Sequence, residues 1–225
     1  MNILVTGANR GLGLAFTSHY LNQGHSVWAC YRSSPGGLNS LDSTRLTLLQ
    51  WDVSQATRPE NLSQLPDKID LLINNAGVYG PAKAMGQSLD AIKPEDMISV
   101  FDINCVGALR IVQSVKNKII SAGGIIANIS SKMGSSADNS SGGCYAYRAA
   151  KAAMVIVSKS MAMDLKPVGV QVITLHPGWV RTDMTSHTGE IDAETSVSGM
   201  CGVIERIGEY EPGAFVGWDA EVIPY

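Results

Sequence analysis

The sequence predicts a single α/β domain in which a mostly parallel, seven-stranded sheet is flanked by helices. Three observations support this: apolar runs alternate with helical patterns along the 225 residues, the first run enters a glycine-rich turn, and no repeat or composition shift divides the chain. Such alternation is typical of a doubly wound sheet, whose ligands bind at the carboxyl ends of the strands. We therefore expect one domain over residues 1–225.

Composition restricts the class of partner. With 45% hydrophobic residues the chain can bury a sizeable core, and its net charge of −3 argues against nucleic acid or an anionic membrane surface as a partner. No apolar run approaches the roughly 20 residues that span a bilayer. The N-terminus lacks the basic and apolar segments of a signal peptide. We expect a cytoplasmic protein that contacts neither membrane nor nucleic acid.

The cysteines predict no metal site. Cys30, Cys105, Cys144 and Cys201 are scattered, without a CxxC pair or histidines at ligand spacing. Reduced thiols with a structural role in a cytosolic protein fit this pattern best.

The chain begins with a strand, a glycine turn, a helix and a second strand. The strand Asn2–Thr6 runs into Gly7-x-x-x-Gly11-x-Gly13, a helical pattern continues to Asn22, and Ser26–Tyr31 forms the next apolar run. Glycines let the backbone turn tightly near a ligand, and the helix that follows aims its N-terminal amides at an anion. The spacing differs from the usual GxGxxG fingerprint, but a pyrophosphate is still the expected ligand.

The end of the second strand indicates which nucleotide binds. An acidic residue there suits the ribose hydroxyl of NAD, whereas arginine suits the 2′-phosphate of NADP. Here Arg32 follows the strand, Arg10 lies in the glycine turn, and no acid occurs before Asp42. The alternative is two solvated arginines, but together they favour NADP.

Two further strands are expected to complete this half of the sheet. After the irregular, Pro/Gly/Ser-rich connection 33–44, Arg45–Trp51 is a strand that ends in Asp52 and Val53, where the carboxylate can accept from an adenine amino group or cap the next turn. Ile69–Asn74 is the fourth strand. The small residues and amide of Asn75-Ala76-Gly77 suit a backbone that passes beneath a nucleotide.

A long helical pattern, a strand and a loop follow. The pattern from Pro94 to about Ser121 carries Asn104 among apolar residues; such an Asn is commonly structural, but it can also hold a water or distort the helix. Ile125–Ile129 is the fifth strand and ends in Ser130-Ser131. The aperiodic segment 132–144 leads to the next helix.

The helix that begins at Tyr145 carries the candidate catalytic pair. Tyr147 and Lys151 are four residues apart, so their polar ends share one helix face. A lysine ammonium favours the phenolate and can lower the pKa of the phenol from its ordinary value of about 10. A Tyr and a Lys at this spacing are more often a solvated pair, so the other motifs of the chain have to decide whether this pair is catalytic. Tyr145 points elsewhere.

The remaining elements are a sixth strand, Gly169–Leu175, the segment His176–Asp183, a helical stretch at 193–207 and a short strand, Ala214–Val216. A short, polar segment at about 183–207 is expected to cover the substrate. Its brevity suggests an open pocket.

Taken together, these residues resemble the short-chain dehydrogenase/reductase family. The resemblance rests on motifs that occur in order along almost the whole chain: Thr6-Gly7-x-x-x-Gly11-x-Gly13, Asn74-Asn75-Ala76-Gly77, Asn104, Ser131, Tyr147-x-x-x-Lys151 and Pro177-Gly178. The compact length and the C-terminal tail are similar to the branch that holds sniffer-type carbonyl reductases and C-factor-like signalling proteins. The implied fold is a Rossmann-type domain.

The resemblance implies a role for each catalytic residue. Tyr147 would be the general acid/base for a carbonyl or alcohol substrate, and Ser131, rather than Ser130, would hydrogen-bond the substrate oxygen. Lys151 would hold the nicotinamide ribose and, with the charge of the oxidised ring, lower the pKa of Tyr147. Asn104 would anchor a water that links Lys151 to solvent.

The same resemblance implies the NADP(H) contacts. Pro177 to Thr182 would close over the nicotinamide. The expected cofactor-binding residues are Gly7, Asn9, Arg10, Gly11, Leu12, Gly13, Arg32, Asp52, Val53, Asn75, Ala76, Gly77, Tyr147, Lys151, Pro177, Gly178, Val180 and Thr182.

Several points stay open at this level. The interval from Ser131 to Tyr147 is long for the family, and Arg148 either lines the pocket or packs. Trp179 and Met184 are either substrate walls or core. A homodimer or homotetramer is expected through the helices that contain Asn104 and Tyr147. The competing hypotheses are an NAD enzyme and a C-factor-like signalling or scaffold protein that binds NAD(P) with little turnover.

Overall fold

The computed structural model describes residues 1–81 and 87–225. Its seven strands form one sheet in the order β3-β2-β1-β4-β5-β6-β7, and every neighbouring pair is parallel. The predicted fold class is confirmed, and the sheet is parallel throughout. The strands are β1 (Asn2–Val5), β2 (Ser26–Tyr31), β3 (Leu46–Gln50), β4 (Leu71–Asn74), β5 (Ile125–Ile129), β6 (Gln171–His176) and β7 (Phe215–Gly217).

Six α-helices cover the sheet in the described part of the chain. They are α1 (Gly11–Asn22), α2 (Pro59–Ser63), α3 (Pro94–Phe101), α4 (Gly107–Ile120), α5 (Tyr145–Leu165) and α6 (Ala193–Glu205). Helix α5 begins at Tyr145, as the sequence predicts, and the irregular connection after β2 contains a 3₁₀ turn, Gly36–Ser40. The short helix α2 was not predicted, because its five residues carry no apolar period.

The core lies on both faces of the sheet, as expected where side chains alternate along buried strands. Ile3 and Val5 of β1 pack in the cluster that also contains residues of α1 and α6. Leu4, between them, packs in the cluster on the opposite face with residues of α4 and α5. The helices therefore fix the sheet from two sides and leave its carboxyl edge open.

The long helix predicted from Pro94 is interrupted where Asn104 stands. A π turn, Asp102–Val106, separates α3 from α4, so the expectation that this asparagine can distort the helix is met. The continuous stretch Pro94–Ile120 is long enough to span a membrane, and an 18-residue window within it has a mean hydropathy of 1.3. Four apolar residues of α4 are instead buried in the core cluster beside β4 and β5: Ile111, Val112, Val115 and Ile119.

The strand order reverses between β1 and β4, which are neighbours although β2 and β3 come between them in the chain. At such a switch point the connecting loops diverge and leave a crevice at the carboxyl ends of the strands. The glycine turn follows β1 and Asn75–Gly77 follows β4, so both predicted cofactor segments lie at this crevice.

Candidate active site

A cleft of about 440 Å³ opens at the switch point between the glycine turn and the loop after β4. A ligand in this cleft can approach the backbone closely because two positions are glycine. Gly7 has φ 62°, and a Cβ there would lie 2.8 Å from Ala76 Cα. A Cβ on Gly13 would lie 2.6 Å from Asn75 Nδ2, so the first turn of α1 can pack against the loop after β4 only without a side chain.

Side chains tie the two walls of this cleft together. Asn75 Nδ2 donates to the carbonyl oxygens of Thr6, at 2.9 Å, and Gly7, at 3.0 Å. Thr6 Oγ1 in turn accepts from the backbone N–H groups of Asn75, at 3.0 Å, and Ala76, at 3.1 Å. The cleft is therefore held open before any ligand binds, which lowers the cost of ordering on binding.

The phenol of Tyr147 lies in a buried site beside Ser131. Tyr147 is 8% exposed, and burial raises its pKa to about 12, while a hydrogen bond with Ser131 acts in the opposite direction. In the protein alone burial dominates, and the lowering of this pKa by Lys151 together with the charge of the oxidised ring stays a prediction. Burial disfavours the phenolate more than the Ser131 hydrogen bond favours it.

The ammonium of Lys151 is also buried, one helical turn away. Its Nζ lies 5.7 Å from the centre of the Tyr147 ring and donates to the carbonyl oxygen of Ile129 at 2.8 Å. Burial lowers the pKa of Lys151 to about 8. The Ser130 hydroxyl donates to the Lys151 carbonyl oxygen at 2.8 Å, so this serine supports the helix.

Asn104 holds the loop that follows β4 and lines the cleft. Its Nδ2 donates to the carbonyl oxygen of Val78 and its Oδ1 accepts from the Val78 N–H, both at 2.8 Å. A Cβ on Gly77 would lie 3.2 Å from Asn104 Oδ1 and 3.7 Å from Lys151 Nζ. The side chain of Asn104 is thus used to hold the loop, and its role in binding a water stays a prediction.

Comparison with known proteins gives the family. The model of the short chain dehydrogenase family matches residues 1–192. The chain belongs to this family. It is an oxidoreductase, and the predicted resemblance is confirmed.

Three relatives of this dehydrogenase illustrate the branch. The protein named C-signal of Myxococcus xanthus is 38% identical over 159 residues, which cover 70% of this chain and 93% of that protein. The carbonyl reductase Sniffer of D. melanogaster has a TM-score of 0.90 at 27% identity and covers 100% of this chain and 99% of its own. The NADPH-bound carbonyl reductase from chicken fatty liver has a TM-score of 0.88 at 30% identity, with 100% and 98% covered.

Most of the predicted cofactor residues of this dehydrogenase do line the cleft. They are Gly7, Asn9, Arg10, Gly11, Leu12, Arg32, Asp52, Val53, Asn75, Ala76, Gly77 and Thr182. The others lie outside its lining. Val180 is buried, and Gly178, with φ 84°, packs so closely that a Cβ would lie 2.8 Å from Trp218 Nε1. Gly13, Pro177, Tyr147 and Lys151 also lie outside it.

The polar side chains of the cleft differ in their existing partners. Asp52 accepts from both the backbone N–H, at 2.9 Å, and the hydroxyl, at 2.8 Å, of Ser54, so it caps the turn, which was one of its two predicted roles. Arg10 pairs with Asp183 at 3.3 Å. Arg32 is exposed at the cleft and forms no ion pair within the described part of the chain.

A buried donor supports the fit of a nucleotide. Trp51 lines the cleft, and its buried indole N–H has no hydrogen-bond partner among the residues that the structure describes. Burial of an unpaired donor is costly, so a polar ligand at this position would be favourable. Together with the glycine-lined wall, this donor fits a dinucleotide in the cleft.

Sequence reasoning missed several residues of the site. Ser33, Trp51, Val78, Ile103 and Asp183 also line the cleft, most of them next to a predicted residue, as does Met184, which was a candidate substrate wall. Arg148 packs rather than lining the pocket: it donates to the Met133 carbonyl oxygen at 3.1 Å and to Ser141 Oγ at 2.8 Å, which anchors the long loop. Trp179 and Met184 are 54% and 47% exposed, which excludes the core role for both.

Proposed function

We propose that this dehydrogenase uses NADP(H) to transfer hydride between the nicotinamide and a small carbonyl or alcohol substrate, with Tyr147 as general acid/base. The observation that carries the proposal is the buried phenol of Tyr147, which lies beside Ser131 and has Lys151 on the next helical turn. A serine hydroxyl and a phenol together can stabilise and protonate a developing alkoxide.

When bound, the cofactor supplies or accepts the hydride. Ser131 donates a hydrogen bond to the substrate oxygen. In reduction, Tyr147 gives its proton to that oxygen as negative charge develops there, and the Lys151 ammonium stabilises the resulting phenolate. In oxidation the proton moves the other way, from the alcohol to the phenolate.

Burial keeps the phenol of Tyr147 protonated in the protein alone. Because burial raises its pKa to about 12, nearly all of the phenol is protonated at neutral pH and can act as an acid. Oxidation needs the phenolate, which would have to form at the cost of the same burial.

The cofactor preference rests on the arginines at the end of the cleft. Arg32 and Arg10 both line it, and among its lining residues no acid occupies the position directly after β2. A guanidinium binds a phosphate bidentately, which favours NADP(H) over NAD(H). The chicken reductase, a relative over the whole chain, is an NADPH-bound structure.

The substrate class follows from apolar side chains near the cleft. Met184 lines it, Trp179 is exposed in the same segment, and the ring of Tyr79 packs against Tyr147 with 4.9 Å between centroids. Aromatic and thioether side chains favour apolar or aromatic carbonyl compounds. The short segment around Met184 supports an open pocket with modest specificity.

A second candidate is a signalling or scaffold protein that binds the nucleotide with little turnover. The similarity to the relative named C-signal, over 93% of that protein, is the observation that favours it. Against it stands the complete set of Asn104, Ser131, Tyr147 and Lys151, since a protein that only binds nucleotide has no use for a buried proton donor.

Turnover separates the two candidates. The purified protein is given NADPH and a panel of aliphatic and aromatic aldehydes and ketones, and loss of NADPH absorbance is followed. We expect reduction of several apolar carbonyl compounds at about 1 to 10 per second. Tight NADPH binding without turnover of any compound on the panel would contradict the proposal and favour the second candidate.

A further inference from the structure

Helix α5, which carries Tyr147, begins without a cap of its own. The residue before it, Cys144, has φ 51° and makes no capping hydrogen bond through its side chain, and the first turn contains no acidic residue. The first backbone N–H groups of a helix have no partner within the helix. The N–H of Tyr147 is one of these donors, so it needs an acceptor from elsewhere.

Gln87 supplies that acceptor. Its Oε1 accepts from the Tyr147 N–H at 2.9 Å, and its Nε2 donates to the Tyr79 carbonyl oxygen at 2.7 Å. Gln87 is 0% exposed. A buried primary amide is costly unless its polar atoms are hydrogen-bonded, and here both ends are used on backbone groups of the site.

The segment that Gln87 holds continues directly from the cofactor cleft. Val78 is fixed by Asn104, and the next residue, Tyr79, packs its ring on Tyr147 at 38° between ring planes. The Tyr79 hydroxyl also lies 2.9 Å from Cys144 Sγ. The amide of Asn104 therefore ties the loop after β4 to the π turn between α3 and α4, and the amide of Gln87 ties it to the first turn of α5.

Gly80, the residue after Tyr79, leaves space for the side-chain amide of Gln87. Gly80 has φ 115°, which favours glycine, and a Cβ there would lie 3.1 Å from Gln87 Nε2 and 3.0 Å from Val100 Cγ2. A larger residue would press on the Gln87 amide, so the backbone at Gly80 is matched to the buried glutamine.

From this geometry we propose that Gln87 is a positioning residue, which caps α5 from outside and fixes the Tyr147 phenol against the cofactor cleft. The proposal rests on the proposed function, since it is the proton transfer by Tyr147 that depends on this position. A displacement of about 1 Å in a reacting group can lower a rate about 100-fold. Because Gln87 does not line the cofactor cleft, its loss should leave NADPH binding unchanged.

The test compares Gln87→Met with Gln64→Met. Gln64 is exposed, and its Nε2 donates to one backbone carbonyl, that of Glu60, at 3.0 Å, so its variant loses a hydrogen bond far from Tyr147. We expect Gln87→Met to lower kcat about 10- to 100-fold with the Kd for NADPH unchanged, and Gln64→Met to leave both unchanged. An unchanged kcat, or an equal loss of kcat and NADPH affinity, would overturn the proposal.

Gln87→Glu separates positioning from packing. It keeps an oxygen that can accept from the Tyr147 N–H, but only its protonated carboxyl can also donate to the Tyr79 carbonyl oxygen. Its kcat relative to the wild type should therefore rise as pH falls, whereas that of Gln87→Met should not. Equal relative losses in both variants at every pH would overturn the role of this amide.

Amide hydrogen exchange of the wild-type protein needs neither a variant nor a substrate. We expect the Tyr147 amide to exchange at least about 100-fold more slowly than in an unstructured peptide. Exchange at the unstructured rate would overturn the proposal. Slow exchange in a protein without turnover would reject the proposed function and leave the capping contact supported.

Discussion

At the scale of single residues, the site combines a phenol and an ammonium that burial shifts in opposite directions. The pKa of Tyr147 rises to about 12 and that of Lys151 falls to about 8, because each loses hydration of its charged form. Both groups therefore approach their uncharged states. This favours proton donation by Tyr147 and makes the charge of Lys151 sensitive to pH near 8.

The two adjacent serines after β5 should differ sharply. Ser131 contacts the Tyr147 phenol, so Ser131→Ala should lower kcat about 100- to 1,000-fold through loss of a donor to the substrate oxygen. Ser130 donates only to the Lys151 carbonyl, so Ser130→Ala should reduce stability by about 1 kcal/mol and keep most of the turnover. Steady-state kinetics measure the loss of kcat, and thermal unfolding measures the loss of stability. Equal loss of kcat in the two variants would contradict this assignment.

The sequence identifies these residues as candidates but does not reveal the cause of their pKa shifts. Tyr147, Lys151 and Ser131 come from the family motif, and helical spacing places the polar ends of Tyr147 and Lys151 on one face. The direction of the Tyr147 pKa depends on how much protein covers the ring, which spacing does not reveal. Gln87 was missed because the contact with Tyr147 spans 60 residues and has no local pattern.

At the scale of secondary structure, the strands and the helix α5 were predictable because buried parallel strands give continuous apolar runs and amphipathic helices give a period. The π turn at Asp102–Val106 was only one of several alternatives for Asn104. At this turn the Asn104 side chain makes two hydrogen bonds to Val78, in the loop after β4, and the sequence of the helix alone does not reveal such a partner.

The end of β6 makes the fold sensitive to acid. His176 Nδ1 accepts from the Lys132 N–H at 3.2 Å, next to Ser131, and burial lowers the pKa of His176 to about 4. Nearby Asp219 and Asp138 raise this pKa and Lys132 lowers it, but burial dominates. Only the neutral ring can accept this hydrogen bond.

The free energy of unfolding should therefore fall with pH through this histidine. Its contribution is fully present above the unfolded pKa of about 6.5 and is lost as pH falls towards about 4, with a total of about 3 kcal/mol. Denaturant unfolding at several pH values should show this loss in the wild type and in the control His187→Asn, whose side chain is exposed. His176→Asn should flatten the profile. An equally steep profile in His176→Asn would contradict the account.

At the scale of the whole molecule, the reversal of strand order between β1 and β4 creates the cleft, and the glycine turn lets a ligand approach the backbone there. Self-association remains a prediction. Ile98 and Phe101 on α3 and Ile156 and Met163 on α5 are exposed apolar residues, on the helical regions where the family resemblance led us to expect contacts between subunits.

Binding of NADPH should stabilise the whole fold more than binding of NADH. At 100 times Kd a ligand adds about 2.7 kcal/mol, which corresponds to a rise in Tm of about 5 to 10 °C for a chain of this size. Arg32→Ser should remove most of the advantage of NADPH over NADH. Arg45 is an exposed arginine just before β3, at the opposite edge of the sheet from Arg32, and Arg45→Ser should keep the advantage of NADPH. Thermal scans with equal effects of both cofactors on the wild type would contradict the NADP(H) preference.

The most direct test is the rate of NADPH oxidation in a single turnover by Tyr147→Phe, with a saturating carbonyl substrate. Tyr145→Phe, two residues earlier and exposed, is the control. We predict a loss of about 100- to 10,000-fold in Tyr147→Phe alone, with NADPH still bound at its wild-type affinity. A wild-type rate in Tyr147→Phe would contradict the assignment of this phenol as the proton donor.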